Sequence, residues 1–217
     1  MSLLRWVPHR GCLPELPALP GTPVVLLHGL LGSPGNFELT ARALIAAGIP
    51  VIAPEYGLRG TVPVERSLTE LVDALSPHLS SPLDMVGHSL GGLLGLRLAR
   101  QFPGSVRTLV GVGAAFRGLP APRNPVLRRG IGTVMGRGAL DLLTPEPWAA
   151  EVPAGTRVVS IISDADRIVP RESSDLGEVV EVHGVRHEYL PSLADEISAA
   201  LAWTPRHGRY PGRAAGP

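Results

Sequence analysis

Short apolar runs alternate along the chain with longer segments in which apolar residues recur at helical spacing. The runs, predicted as strands, cover residues 24–27, 50–53, 83–86, 106–112, 157–162 and 178–183. The segments predicted as helices cover residues 37–47, 67–79, 90–102 and 192–203. A capping-box pattern from Ser67 to Glu70 is expected to open the second helix. Because this alternation is typical of βαβ units, we predict an α/β fold with a mostly parallel central sheet and helices on both faces.

The predicted domain covers residues 22–203. A proline-rich arm, residues 1–21, precedes it, and residues 204–217 form a tail that is expected to be flexible. Residues 114–151 interrupt the alternation and are too long for a simple connection, which predicts a small cap or lid. One helical face of this cap carries four apolar residues: Leu127, Ile131, Val134 and Met135. We expect this face to cover the functional cleft, and the interspersed glycines to make the helix bendable.

The composition is that of an ordinary globular protein, with 44% hydrophobic and 18% charged residues among 217. A net charge of +1 does not indicate nucleic-acid binding, and the lack of a long apolar run argues against a membrane span. The single cysteine, Cys12, excludes an internal disulfide. Neither a metal nor a cofactor is expected, since no metal-ligand spacing and no complete nucleotide motif occurs. Residues 1–20 show no secretory signal, which favours a cytoplasmic location and leaves secretion open if the sequence has been trimmed.

The most informative motif is Gly87-His88-Ser89-Leu90-Gly91, which directly follows the apolar run 83–86. A G-x-S-x-G sequence between a strand and a helix is typical of a nucleophile elbow. Such a turn pushes the serine hydroxyl outward and needs neighbours that lack side chains, as Gly87, Gly91 and Gly92 do. We therefore predict that Ser89 is a nucleophile, although glycines kept for packing at a strand end would leave a similar pattern.

A serine nucleophile needs a base, and the chain contains seven histidines. Five of them are in unsuitable places, near the ends, inside glycine turns or on the helix before the elbow: His9, His28, His78, His88 and His207. His183 is expected within or at the end of the last strand. His187 follows in a loop from which it can reach a serine, so we favour His187 and leave His183 open.

The acid that orients the base is expected after the penultimate strand, because sheets of this kind place the triad in the order serine, acid, histidine. Asp164 and Asp166 both lie in this interval. We favour Asp166, which lies deeper in the loop and directly before residues 167–170, which would fix it. Asp164 stays open, and both aspartates also fit a structural Asx turn.

A tetrahedral oxyanion needs preorganised backbone N–H donors. The candidates are the amide of Leu90, next to the serine, and the amide of Leu30, in the glycine-rich turn after the first strand. Both turns are expected at the carboxyl edge of the sheet, where ligands bind. Three apolar residues near these motifs are predicted to contact a hydrophobic acyl group: Leu31, Phe37 and Phe116.

Four segments together resemble the α/β-hydrolase superfamily, and within it small bacterial lipases and esterases: residues 24–32, 87–92, 161–169 and 182–187. Residues 113–118 are similar to a glycine-rich turn of those lipases. The resemblance implies that Ser89 is the nucleophile, Asp166 the acid and His187 the base. Arg186 stands where these lipases usually have a small residue, and it is expected to narrow the acyl pocket.

The resemblance also implies an enzyme that cleaves carboxylic esters through an acyl-enzyme intermediate. A thioesterase, an amidase or an acyltransferase would use the same triad, and a non-catalytic relative would keep only the fold. The expected partner is a small acyl ester or a lipid, with contact to a lipid interface through the cap. Chain-length preference and oligomeric state do not follow from the sequence.

Overall fold

The computed structural model describes residues 11–201. Within this range the strands are β1 (Val24–Leu27), β2 (Val51–Ile52), β3 (Leu83–His88), β4 (Val106–Val112), β5 (Leu119–Pro120), β6 (Leu143–Thr144), β7 (Arg157–Ser163) and β8 (Glu178–Val182). The helices are α1 (Glu38–Ala46), α2 (Gly57–Gly60), α3 (Val64–Leu75), α4 (Leu90–Gln101), α5 (Pro125–Met135), α6 (Arg137–Leu142), α7 (Arg171–Ser174) and α8 (Ala194–Leu201). Two 3₁₀ turns, Pro34–Phe37 and His187–Ser192, complete these elements.

The central sheet has six strands in the order β2-β1-β3-β4-β7-β8, and every neighbouring pair is parallel. All of its strands therefore end at the same edge. β3 lies near the middle, and all of its residues from Leu83 to His88 are buried. This position explains the continuous apolar run in the sequence, because both faces of a central parallel strand are covered.

Two hydrophobic clusters cover the two faces of the sheet. One joins Met85 of β3 to residues of α3 and α4, namely Leu71, Leu75, Leu93 and Leu94. The other joins Val86 of β3 to residues of α1 and α8, namely Ala41, Leu44, Ile197 and Ala200. Successive residues of one strand thus point to opposite layers, as the pleat requires. The predicted fold class, a mostly parallel sheet with helices on both faces, is confirmed.

α3 begins at Val64 rather than at the predicted capping box. Ser67 lies inside the helix, fully buried, and its hydroxyl has no hydrogen-bond partner within residues 11–201. The side chain of Asp141, from α6, instead accepts a hydrogen bond from the amide of Val64 at 3.1 Å. Glu70 accepts one from the amide of Gly57 at 2.6 Å. A contact from a distant helix therefore sets this helix start, which a local pattern could not indicate.

Residues 114–151 contain α5, α6 and the two-stranded pair β5–β6. None of the residues of α5 is fully buried, and Leu127 and Val134 are 56% and 69% exposed. The inward face of α5 is set by Gly132, because a Cβ there would lie 2.5 Å from Leu140 of α6. The expectation that Leu127 and Val134 cover the cleft is therefore wrong, whereas Met135, on the same predicted face, lines the same cleft as Ser89.

The other boundary predictions fall partly outside the described range. Residues 1–10 of the predicted arm, and the predicted tail with the end of the last helix, lie outside residues 11–201. From residue 11 onward the arm contacts the domain, since Glu38 accepts a hydrogen bond from the amide of Cys12 at 2.9 Å. Within the described range, no helix is both long enough and apolar enough to cross a bilayer.

Candidate active site

Ser89 forms the junction between β3 and α4 and has a left-handed backbone, with φ 53° and ψ −116°. A positive φ is uncommon for a residue with a side chain, and it persists only where the surroundings fix it. This is the geometry of a nucleophile elbow, in which the hydroxyl projects from a sharp strand-to-helix turn. The strain therefore falls on the residue that the motif singled out.

Close backbone packing fixes this turn. A Cβ at Gly91 would lie 2.1 Å from the carbonyl oxygen of Leu27 at the end of β1. A Cβ at Gly87 would lie 2.5 Å from the amide nitrogen of Gly92. Neither distance is tolerable, so any side chain at these positions would push α4 away from the sheet. The glycines are required because backbone approaches backbone here.

Asp166 and His187 form a short hydrogen bond, 2.7 Å between Oδ2 and Nδ1. The other carboxylate oxygen accepts hydrogen bonds from the amides of Ile168 and Val169, at 2.8 Å and 3.0 Å. Asp166 thus combines the expected Asx turn with a contact to the histidine. Its side chain is only 3% exposed, so its position is well fixed.

The surroundings of Asp166 favour its ionised form. Burial alone would raise the pKa of this carboxyl, but the hydrogen bond and charge of His187 and the two loop amides outweigh burial, so the pKa lies below its ordinary value. Asp166 therefore stays negative at neutral pH and can stabilise a positive imidazolium beside it.

His187 begins a 3₁₀ turn rather than lying in an open loop. Its carbonyl accepts a hydrogen bond from Nε2 of His88 at 3.0 Å, and the two rings lie 4.4 Å apart. Because Asp166 engages Nδ1, the ring nitrogen left for proton transfer is Nε2. The ring is 90% buried, so few orientations are open to it.

Ser89 and His187 line one cleft of about 300 Å³. Among residues 11–201, the Ser89 hydroxyl forms no hydrogen bond. Serine–histidine contacts are often long before substrate binds and shorten in the complex. The structure thus brings the serine, the histidine and, behind the histidine, the aspartate into one arrangement at the carboxyl edge of the sheet.

The alternative residues form a separate pair. His183 and Asp164 are hydrogen-bonded to each other at 2.9 Å, and both side chains are mostly exposed. Asp164 also accepts a hydrogen bond from the amide of Gly184 at 2.8 Å. Neither residue lines the Ser89 cleft. This pair closes a surface turn, and His183 comes directly after the end of β8.

Two backbone amides remain available beside Ser89. Leu30 lines the cleft, and Leu90 is the first residue of α4. In the described part of the chain, neither amide donates a hydrogen bond, as expected for donors that await a ligand. The neighbouring amide of Leu31 is occupied, since it donates to the carbonyl of Arg59 at 2.8 Å.

Arg59 holds residues 29–32, which we call the oxyanion loop after the role expected for the Leu30 amide. Its guanidinium donates to the carbonyl oxygens of Leu31, at 2.7 Å, and Gly32, at 3.1 Å. Leu31 and Arg59 both have left-handed backbones, with φ 59° and 62°. Sequence reasoning missed Arg59, although its place between Gly57 and Gly60, after a strand, marks a tight turn at the same edge of the sheet.

His28, at the start of the oxyanion loop, cannot serve as a base at neutral pH. Burial lowers its pKa to about 4. Its ring stacks on Tyr56 with a centroid distance of 4.1 Å, and its Nδ1 donates to the carbonyl of Gly29 at 2.9 Å. The Tyr56 hydroxyl donates to the carbonyl of His28. His28 is therefore a neutral structural residue.

Of the three residues predicted to contact an acyl group, one lines the cleft and two lie in the core. Leu31 lines the cleft, whereas Phe37 and Phe116 are buried in the two hydrophobic clusters and do not reach it. Aromatic side chains of this size are needed in the core, which explains the correction. The cleft also takes Met135, which the predicted cap face included, and three apolar residues that the sequence did not indicate: Leu119, Leu142 and Ile168.

Arg186 does not narrow the cleft, contrary to expectation. Its guanidinium lies 5.0 Å from the centre of the Tyr189 ring and donates to the Tyr189 hydroxyl at 3.1 Å. It also forms an ion pair with Glu188 at 3.5 Å. These contacts hold the cation at the surface, so the side chain leaves the space beside His187 free.

Known proteins share parts of this sequence. A model of the alpha/beta hydrolase family matches residues 24–140. Over 142 residues the chain is 30% identical to a protein of Pantoea ananatis provisionally named the carbamate hydrolase RutD, covering 59% of this chain and 51% of that one. Over 114 residues it is 35% identical to an sn-1-specific diacylglycerol lipase of Xenopus laevis, covering 48% of this chain and 35% of that one. The chain thus spans about half or less of the length of these relatives.

Solved structures share the fold. A monoacylglycerol lipase of Paleococcus ferrophilus superposes with a TM-score of 0.60 at 23% identity, covering 87% of this chain and 97% of that one. At this level of identity the likeness extends to the architecture alone.

The buried neutral His28 makes stability depend on pH. In the unfolded chain its pKa is 6.5, and in the folded protein it is about 4, so between these values the unfolded state binds the extra proton. The contribution of His28 to the free energy of unfolding is therefore fully present above pH 6.5, and it is lost as the pH falls toward 4. We expect His28 to contribute up to about 3 kcal/mol to this loss. Urea unfolding at several pH values measures it.

The variant His28→Phe, which keeps a stacked ring but cannot titrate, is expected to flatten the pH dependence over this range. The exposed His78→Phe serves as the matched control and should retain the wild-type slope. An unchanged slope in His28→Phe would show that other groups cause the acid sensitivity.

Proposed function

Because the chain belongs to the alpha/beta hydrolase family, we propose that it is a serine hydrolase that cleaves carboxylic esters through an acyl-enzyme intermediate. The family match over residues 24–140 confirms the resemblance that the sequence motifs indicated. The single observation that carries the proposal is the Asp166–His187 hydrogen bond of 2.7 Å in the cleft that Ser89 lines. A buried, ionised carboxylate that is hydrogen-bonded to an imidazole, in a cleft shared with a strained serine, is the arrangement that a serine hydrolase requires.

Each residue then has a defined task. His187 Nε2 accepts the hydroxyl proton as Ser89 Oγ forms a bond to the ester carbonyl carbon. The amides of Leu30 and Leu90 donate to the resulting oxyanion. His187 passes the proton to the departing alcohol, and the acyl group stays on Ser89. Water, deprotonated by His187, then releases the acid and restores the serine.

The cleft favours an apolar substrate. Its wall combines Leu30 and Leu31 of the oxyanion loop with Leu119, Met135 and Ile168 of the cap and the neighbouring loop. An apolar wall with a few polar groups near the reacting centre suits a hydrophobic acyl chain. The relatives named as a diacylglycerol lipase and a carbamate hydrolase cleave carbonyl compounds of two kinds, so hydrolysis of a carbamate, amide or thioester by the same residues is the second candidate.

A fluorophosphonate probe and a short p-nitrophenyl ester test the proposal together. We expect covalent labelling at Ser89, and loss of ester hydrolysis by about 10⁴-fold in Ser89→Ala and His187→Ala, because the triad acts as a unit. His183→Ala is the matched control and should stay within about twofold of the wild type. A folded protein that neither reacts with the probe nor hydrolyses any ester, amide or thioester would refute the function.

Arg59 is expected to support the transition state through the oxyanion loop. Removing its two hydrogen bonds to Leu31 and Gly32 frees a strained loop, so Arg59→Met should lower kcat about 10- to 100-fold with little change in KM. Arg66→Met, on the exposed side of α3, controls for the loss of a cation. A raised KM with unchanged kcat would instead mean that Arg59 binds the ground-state substrate.

We also propose that α5 contacts a lipid interface. Its outer face exposes Val126, Leu127 and Val134, at 76%, 56% and 69%. Arg123, Arg128 and Arg129 lie beside them, and within residues 11–201 none of these arginines has an acidic partner. No acidic residue occurs from 121 to 140. Exposed apolar side chains flanked by free cations suit an anionic lipid surface.

Sedimentation with phosphatidylglycerol vesicles tests this contact. We expect the double variant Leu127→Ser, Val134→Ser to bind these vesicles at least about tenfold more weakly than the wild type does, because two large apolar side chains are removed from the interface. Leu39→Ser, which changes a leucine of the same 56% exposure on α1, should bind as the wild type does. Equal binding of all three proteins would exclude α5 as the contact.

A further inference from the structure

A second pocket, of about 360 Å³, lies next to the Ser89 cleft and has no role in the mechanism above. We refer to it as the proline pocket, because four proline rings line it: Pro120, Pro145, Pro147 and Pro170. Its volume is within the range of small-molecule sites. Its place beside the cleft raises the question of what it holds.

The side-chain donors that line the proline pocket bind backbone carbonyls within the protein, and the charged acceptor in its lining is the exposed carboxylate of Glu172. The Arg117 guanidinium donates to the carbonyl of Glu172, at 3.0 Å, and to that of Asp175. The Ser173 hydroxyl donates to the carbonyl of Gly118 at 2.6 Å, and the Thr144 hydroxyl donates to that of Glu146. With these donors engaged inside the protein, the pocket offers apolar contact rather than hydrogen bonds, which suits a hydrocarbon group.

The pocket is also largely preformed. Proline fixes its own φ, so four proline rings lose little freedom when a ligand binds. The β5–β6 pair, with Leu119 matched to Leu143 and Pro120 to Thr144, holds two sides of the pocket together. A preformed apolar pocket binds hydrocarbon with a small ordering cost.

The proline pocket and the cleft share one lining residue. Leu119 lines both of them. The boundary continues along two other segments, where Leu142 and Ile168 line the cleft while Thr144 and Pro170 line the pocket. Leu119 is only partly buried and has no polar group to hold it in place, so its side chain is the weakest part of this wall.

We infer that the proline pocket receives the far end of the substrate's hydrocarbon chain, and that Leu119 is the specificity-determining residue that controls entry to it. This inference rests on the proposed function, since it places the ester at Ser89. The substrate class it selects is an ester with a long, unbranched apolar chain that leads from the cleft past Leu119.

Two substitutions change the pocket in opposite ways. Leu119→Ala removes the partition, and Pro120→Trp fills the pocket from its exposed rim. Ala121→Trp adds the same ring at the next residue, which lines neither pocket, and serves as the matched control. Because Pro120 is exposed, its replacement is not expected to disturb the core, and thermal unfolding of each variant verifies this.

The first measurement is kcat/KM for p-nitrophenyl esters from acetate to palmitate. We expect Leu119→Ala to raise the ratio of long-chain to acetate kcat/KM at least about tenfold, and Pro120→Trp to lower it by a similar factor, while Ala121→Trp leaves it unchanged. These factors correspond to contact with about two methylene groups. A ratio that Pro120→Trp and Ala121→Trp change equally would overturn the inference.

The second measurement does not depend on turnover. Calorimetric titration of Ser89→Ala with 1-decanol should show binding that Pro120→Trp weakens at least about tenfold and Ala121→Trp does not. If Pro120→Trp leaves decanol binding unchanged, the pocket assignment is overturned, even if the wild-type protein is an active esterase. If Pro120→Trp weakens decanol binding but the wild-type protein has no hydrolytic activity, the pocket assignment is supported and the proposed function is refuted.

Discussion

The contact between the start of α4 and the ends of β1 and β3 is the constraint on which the other features of the site depend. Gly91 approaches the Leu27 carbonyl so closely that even a methyl group would not fit. This approach holds Ser89, which directly precedes the first residue of α4, in its left-handed conformation. It also sets how far the oxyanion loop, which follows β1, lies from the serine. One backbone contact thus positions Ser89 relative to the two turns that carry the proposed oxyanion donors.

Strand order in the sheet then determines which residues can meet Ser89. β4 and β7 follow β3 in the sheet, and β8 lies at the edge. Asp166 follows β7 and His187 follows β8, so the proposed acid and base approach from the same side of β3. His88, the last residue of β3, reaches back to hold the carbonyl of His187. His187 is therefore fixed from two directions, since Asp166 binds its ring and His88 of the central strand binds its backbone carbonyl.

A layer of polar contacts behind the site links it to the cap. Arg59 holds the oxyanion loop, and the same turn contacts α6, where a Cβ at Gly138 would lie 2.1 Å from the carbonyl of Gly60. Asp141 of α6 accepts a hydrogen bond from the start of α3. Any displacement of α6 would therefore strain the segment that positions the oxyanion donors. This arrangement couples the cap to the oxyanion loop through packed backbone rather than through a flexible hinge.

The sequence by itself determined the fold class, the elbow and the spacing of the motifs along the chain, because the parallel sheet and the glycine turns follow from local patterns. It also narrowed the candidate acid to Asp164 or Asp166 and the candidate base to His183 or His187. The structure places only Asp166 and His187 beside the Ser89 cleft, while Asp164 and His183 bind each other at the surface. Only tertiary packing decided the rest. Phe37 and Phe116 entered the core, Arg59 reached the oxyanion loop from α2, and Gly132 turned α5 so that Leu127 faces solvent. These outcomes depend on neighbours distant in the chain, which no local periodicity encodes.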